Sequence, residues 1–246
     1  MTDSPAAFRA QHGIATISYG ELPPGLDCLK YVENGRPPIS LRISGEYRIP
    51  DAYRVPGVHP AMPGIAVVGS RAATTYGEHV AADLGAGLAE RGFAVLNTGG
   101  YGVEASALRG AMGAGGQTVV VAPGGLAQPY PPGNAALLER VTAVLSEQPD
   151  DRVPTRTTFE DAARLVAALS VGVVVVEAAV RSNVVHVVEW AERLGRPVLA
   201  IPGPVTSIMS MLPHQLIASG RAQLVTGVDD VMLQLFGDPG FTLEED

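Results

Sequence analysis

The stretch Ile65-Ala-Val-Val-Gly-Ser-Arg71 decides the fold. Four apolar residues run into a glycine, a small hydroxyl and one cation. From Tyr76-Gly77-Glu78 to Arg91 the apolar residues Val80, Leu84, Leu88 and Ala89 then recur at helical spacing. Strand, glycine turn and helix open a doubly wound α/β sheet, and such sheets bind ligands at the carboxyl ends of their strands. Backbone N–H groups at the helix start favour an anion, and Arg71 adds a full positive charge beside them. A phosphate is the expected occupant of Gly69-Ser70-Arg71. The same residues also suit a plain strand-to-helix turn with a surface arginine.

Downstream the alternation is regular. Strands are predicted at 65–68, 94–97, 118–121, 143–145, 172–176, 198–201 and 223–225. Helices are predicted at 77–91, 103–114, 134–140, 159–169, 183–194, 209–219 and 228–236. The strands are short, apolar and rich in valine, as in a Rossmann-like, mostly parallel sheet with helices on both faces. Right-handed crossovers put the loop after each strand on one rim. Upstream, Ile39-Ser-Leu-Arg-Ile43 alternates like a strand, while Leu22-Pro-Pro-Gly and Pro50, Pro56, Pro60 and Pro63 punctuate the chain. Residues 1–62 are read as an arm on the main domain, 63–236 as that domain, and 237–246 as an acidic tail.

At 246 residues and 46% hydrophobic, the chain can bury a substantial core. The longest apolar run, Val171 to Val180, is far too short to span a bilayer. The first residues lack a secretory pattern, and the lone Cys28 fits a reducing cytoplasm. A net charge of −8 argues against general coating of duplex DNA and leaves room for a local basic groove.

Four loops are expected to meet at the carboxyl rim. The first is Gly69-Ser70-Arg71. The second, Thr98 to Gly102, offers Gly99, Gly100 and Gly102 for close backbone approach and projects Tyr101. The third runs from Ala122 to Tyr130-Pro-Pro-Gly-Asn134, with Asn134 as a helix cap. The fourth carries Arg181 and Ser182 just before a helix, a pairing suited to phosphate. Arg109 and Arg164 lie on helices near the second and fifth strands of the domain. The five histidines show no metal-ligand spacing, and Ser70 has no evident base. Neither metal, cofactor nor catalytic centre is expected.

These motifs resemble the DprA/Smf family. The resemblance rests on the opening stretch with Tyr76-Gly77 and on Arg109-Gly110-Ala111, Gly115-Gly116, Tyr130-Pro-Pro-Gly-Asn134 and Leu145-Ser-Glu147. It continues through Ala168-Leu-Ser170, Val174-Val-Val-Glu177-Ala178, Arg181-Ser182 and Ile201-Pro-Gly203, so it runs unbroken from about residue 37 to 235. It implies a dimeric protein that binds single-stranded DNA and loads a RecA-type recombinase onto it, without catalysis. It assigns Gly69, Ser70, Arg71, Arg109, Arg164, Arg181 and Ser182 to the DNA grip.

This chain departs from the family pattern. Tyr101 stands where an arginine is usual, Leu108 replaces a histidine, and the basic segment is reduced to Asp161-Ala-Ala-Arg164 with Phe159 retained. Each lost phosphate contact lowers the salt dependence of binding by about one unit, and stacking by Tyr101 would add about 1–3 kcal/mol per base. The alternative is a nucleotide-binding sensor or phosphoribohydrolase-like protein of the same superfamily, which the acidic balance suits. Against it, Ala122-Pro-Gly-Gly-Leu126 lacks the continuation such hydrolases carry.

Overall fold

The structure is a computed structural model that describes residues 15–18, 29–33, 35–36, 38, 40–45 and 64–243. The turn at Leu22, the proline-rich lead before residue 64, Cys28, His12, His59 and the last three acidic positions lie outside the described residues.

The strands are β1 (Ala15–Ser18), β2 (Ser40–Gly45), β3 (Gly64–Val68), β4 (Ala94–Asn97), β5 (Thr118–Val121), β6 (Ala143–Ser146), β7 (Ser170–Val175), β8 (Val198–Ala200) and β9 (Gln223–Leu224). The helices are α1 (Thr75–Glu90), α2 (Val103–Gly113), α3 (Ala135–Leu138), α4 (Arg156–Leu169), α5 (Val184–Arg193), α6 (Met211–Ala218) and α7 (Val228–Phe236). One sheet holds all nine strands in the order β1-β2-β6-β5-β4-β3-β7-β8-β9. From β6 to β9 every neighbouring pair is parallel, whereas β2 runs antiparallel to β6 and β1 to β2. The expected Rossmann-like α/β fold is therefore present.

Its winding sets the position of the site. The chain starts in the middle at β3, builds β4, β5 and β6 to one side, and returns to build β7, β8 and β9 on the other. The order reverses between β3 and β7, so the loops leaving them splay apart and open a crevice. Along β3, Ile65 and Val67 pack against α1, α2 and α7, while Ala66 and Val68 pack against α4, α5 and α6. The two-residue period of the strand thus feeds two cores.

The edge elements differ most from the sequence reading. Strand β1 went unanticipated. The helices expected at 134–140 and 209–219 each begin as a 3₁₀ turn, at Pro132–Asn134 and Ile208–Ser210. Strand β2 is tied to the loop after β6 by Arg42, whose Nε donates to Asp150 Oδ1 at 2.8 Å.

Candidate nucleic-acid interface

Three turns build the crevice, those after β3, β4 and β7. The Ser70 N–H donates to Glu177 O at 2.5 Å, and Ser70 O accepts from the Val103 N–H at 3.1 Å. The first loop is thereby stitched to the other two. Gly102 has φ +66°, and a Cβ there would stand 2.4 Å from Ser70 O, so a side chain would part the stitched loops.

The start of α1 corrects the simplest phosphate reading. Thr74 caps this helix, its Oγ1 accepting from the Gly77 N–H at 3.2 Å. The Glu177 carboxylate reaches in from the end of β7. Oε2 accepts from the Thr74 N–H at 2.9 Å, and Oε1 accepts from the Thr74 hydroxyl at 2.6 Å. Glu177 is 1% exposed, and a Cβ on Gly77 would lie 2.2 Å from its Oε2. The anion expected at this helix N-terminus is supplied by the chain itself.

The second loop repeats the device. Glu104, in the first turn of α2, accepts through Oε2 from the Thr98 N–H at 3.2 Å, the Thr98 hydroxyl at 2.6 Å and the Gly100 N–H at 2.8 Å. Burial pushes its carboxyl above the ordinary glutamate value, partly offset by the Thr98 hydroxyl, the Gly100 N–H and nearby Arg71. With both loops closed on carboxylates, an anion is repelled from the depth of the crevice.

The mouth is cationic and aromatic. Arg71 is exposed, and its guanidinium lies 4.7 Å from the centroid of the Phe159 ring on α4. Tyr130 meets Phe159 edge-on at 5.8 Å. Beneath Arg71 lies a cavity of about 350 Å³ lined by Ser70, Thr98, Glu104, Phe159 and Ser182 among others. Ser182 Oγ accepts from the Val184 N–H at 3.3 Å. Arg181 is exposed on the same loop and stands outside the lining.

The other sequence-predicted residues scatter. Tyr101 is 41% exposed, but its hydroxyl accepts from the Gly133 N–H at 3.1 Å, which lays the side chain onto the third loop. Asn134 does not cap its helix. Its amide donates to Gly99 O at 2.9 Å and Gly100 O at 3.2 Å, bracing the second loop. Arg109 is exposed on α2, away from the crevice lining. Arg164 is 5% exposed and ion-paired through Nη2 with Glu147. It lines a separate cavity of about 870 Å³ with Arg36, His186, Trp190 and Arg193, so it does not join Arg71 in one groove.

The family model for DNA recombination-mediator protein A matches residues 36–236, which include every rim loop. The chain belongs to this family. It is 50% identical over 170 residues to the DNA processing protein DprA of Mycobacterium tuberculosis, covering 68% of this chain and 43% of that one. The chain thus spans less than half the length of that relative. The crystal structure of DprA from Streptococcus pneumoniae superposes with a TM-score of 0.78 at 29% identity, over 94% of this chain and 78% of that one. The Helicobacter pylori DprA structure, described for its single-stranded DNA binding mode, superposes with a TM-score of 0.77 at 23% identity, over 93% and 98%.

Glu104 was legible in the sequence as a carboxylate that starts a helix and satisfies its dipole, and the structure places it there on the glycine loop. Glu177 carried no such signal, since Thr74 and Glu177 are 103 residues apart in the chain.

Proposed function

We propose that this chain binds single-stranded DNA along the carboxyl rim and hands it to a RecA-type recombinase. The observation that carries the reading is the Arg71–Phe159 pair, with the guanidinium 4.7 Å from the ring centroid at the mouth of the switch-point crevice. A strand needs a cation for its phosphate and a ring for its base, and here one contact supplies both. Arg181 and Ser182 continue the phosphate track from the facing loop. The Helicobacter pylori protein shares the fold and is described as binding single-stranded DNA. The family description, a recombination mediator, supports delivery to a recombinase. The role is binding without chemistry. Among the described residues no cluster of His, Cys, Asp and Glu could hold a metal, and no helix is long and apolar enough to cross a membrane. The cytoplasm is the proposed compartment.

The working form is a homodimer. Among the described residues β9 is the last strand on its side of the sheet, and Leu224 on it is 48% exposed. Earlier in the chain, at the start of α6, Ile208 is 63% and Met211 44% exposed. A second copy would cover these apolar groups and the strand edge.

Fluorescence anisotropy with an oligo-dT strand tests the proposal. Saturable binding is expected. Arg71→Ala reduces the salt slope by about one unit, and Phe159→Ala weakens binding by about 1–3 kcal/mol. Absence of saturable binding at low salt, or an unaltered salt slope in Arg71→Ala, overturns it. The nucleotide-sensor alternative is disfavoured because Glu177 and Glu104 occupy the N–H groups a mononucleotide phosphate would use. Thermal stabilisation by mononucleotides but not by oligonucleotides would restore it.

A further inference from the structure

Helices α4 and α5 each turn one stripe toward a space outside the rim. On α4 the stripe is Thr157, Asp161 and Arg164, and on α5 it is His186, Trp190 and Arg193, both at the i, i+4, i+7 spacing of one helix face. The lead into β2 adds a wall with Arg36 and Ser40. The enclosed cavity of about 870 Å³ falls within the range of small-molecule sites, and no residue lines both it and the rim crevice.

The cavity offers an anion a place. Arg164 is buried, and its Nη2 is taken by Glu147. Nη1 is buried as well and finds no acceptor among the described residues. A guanidinium only donates, so the unused arm of its fork calls for an anionic oxygen. Arg36 converges on the same spot: burial raises the Glu147 carboxyl, and the charges of Arg164 and Arg36 both pull it back. The carboxylates that would oppose an anion are engaged. Glu160 accepts from Arg156 Nε at 3.3 Å and faces His186 Nε2 at 3.7 Å, while Glu189 faces His186 Nδ1 at 3.8 Å. Asp161 is held only by Gln148 Nε2 at 3.5 Å, which leaves it an acceptor for hydroxyl or amino groups.

The α5 wall is flat. The Arg193 guanidinium lies 4.9 Å from the centroid of the Trp190 ring. Arg193 also lines a neighbouring hollow of about 530 Å³ with Tyr31, which is 83% exposed. A ring entering here continues a stack of ring and guanidinium. We propose that this cavity is a second ligand site, which takes a nucleoside monophosphate. The phosphate meets Arg164 Nη1 and Arg36, the base lies against the Trp190–Arg193 pair, and Asp161 accepts from sugar hydroxyls or a base amino group. The site is separate from the rim and does not depend on the chain being a DNA binder.

The chain has a single tryptophan, so its fluorescence reports on this cavity. AMP titrated into the full chain is expected to quench it saturably. Adenosine, which lacks the phosphate, should bind about tenfold or more weakly, and Arg36→Ala should weaken AMP by about tenfold, the loss of one charge-assisted hydrogen bond. Arg71→Ala, at the rim, should leave the AMP titration as it is. Absence of saturable quenching by AMP overturns the site, and so does equal affinity for AMP and adenosine. Quenching that survives Arg36→Ala unchanged but is lost in Arg71→Ala places AMP at the rim and overturns it too. Oligo-dT anisotropy on the same protein keeps the two readings apart, because saturable DNA binding without any AMP response removes this site and leaves the rim reading standing.

Discussion

At the scale of single residues, the rim cations must be told apart by their surroundings. The resemblance assigns Arg71 and Arg164 alike to the expected DNA grip, yet one is exposed over a ring and the other is 5% exposed against Glu147. A buried guanidinium paired with a carboxylate is a structural bond between α4 and the end of β6, and its removal strands a charge. Arg164→Ala is therefore expected to cost about 3–5 kcal/mol in stability, read from chemical denaturation, while leaving the salt slope of DNA binding unchanged. A lowered slope in a folded Arg164→Ala protein would put this arginine back on the DNA. Sequence alone could not separate the two arginines. Each directly follows a pair of small residues, Gly69-Ser70 and Ala162-Ala163, and the burial that divides them depends on Glu147, which is 17 residues from Arg164.

At the scale of elements, the helices and strands of the parallel core were legible because each carries its own period. Strands β4 and β5 and helix α7 match their expected bounds, and β3 begins one residue early. What fills the N-terminus of α1 was not legible, because its partner Glu177 comes from just past the end of β7. The same filling makes stability depend on pH. Burial raises the carboxyl of Glu104, and it raises Glu147 despite the opposing Arg164 charge. Both groups bind a proton more tightly in the folded chain than in the unfolded one. Their contribution to stability is fullest below the ordinary value of 4.5 and is lost as pH rises through their elevated folded values. Thermal denaturation across that window should show this falling component. Glu104→Gln should flatten it, because glutamine keeps an acceptor for Thr98 and Gly100 and carries no charge. A slope in Glu104→Gln as steep as in wild type would place the pH dependence elsewhere.

At the scale of the molecule, the proposed function asks a chain of net charge −8 to hold a polyanion. Beside Phe159 the α4 surface turns acidic with Glu160 and Asp161, so one rim offers a short cationic track. Two rims joined through the β9 edges would compensate, because the second rim engages a strand already held by the first, at high effective concentration. Leu224→Lys places a charge on the last described strand of the sheet, outside the crevice lining. Light scattering is expected to report a dimer for wild type and a monomer for this variant. A strand long enough to span both rims should lose about tenfold or more in affinity, while a strand too short to bridge should bind as before. Equal losses on both strands would mean that the substitution disturbed the rim itself. A monomeric wild type that already binds long strands tightly would mean that one crevice suffices, and the acidic flank of α4 would then limit the footprint without weakening the grip.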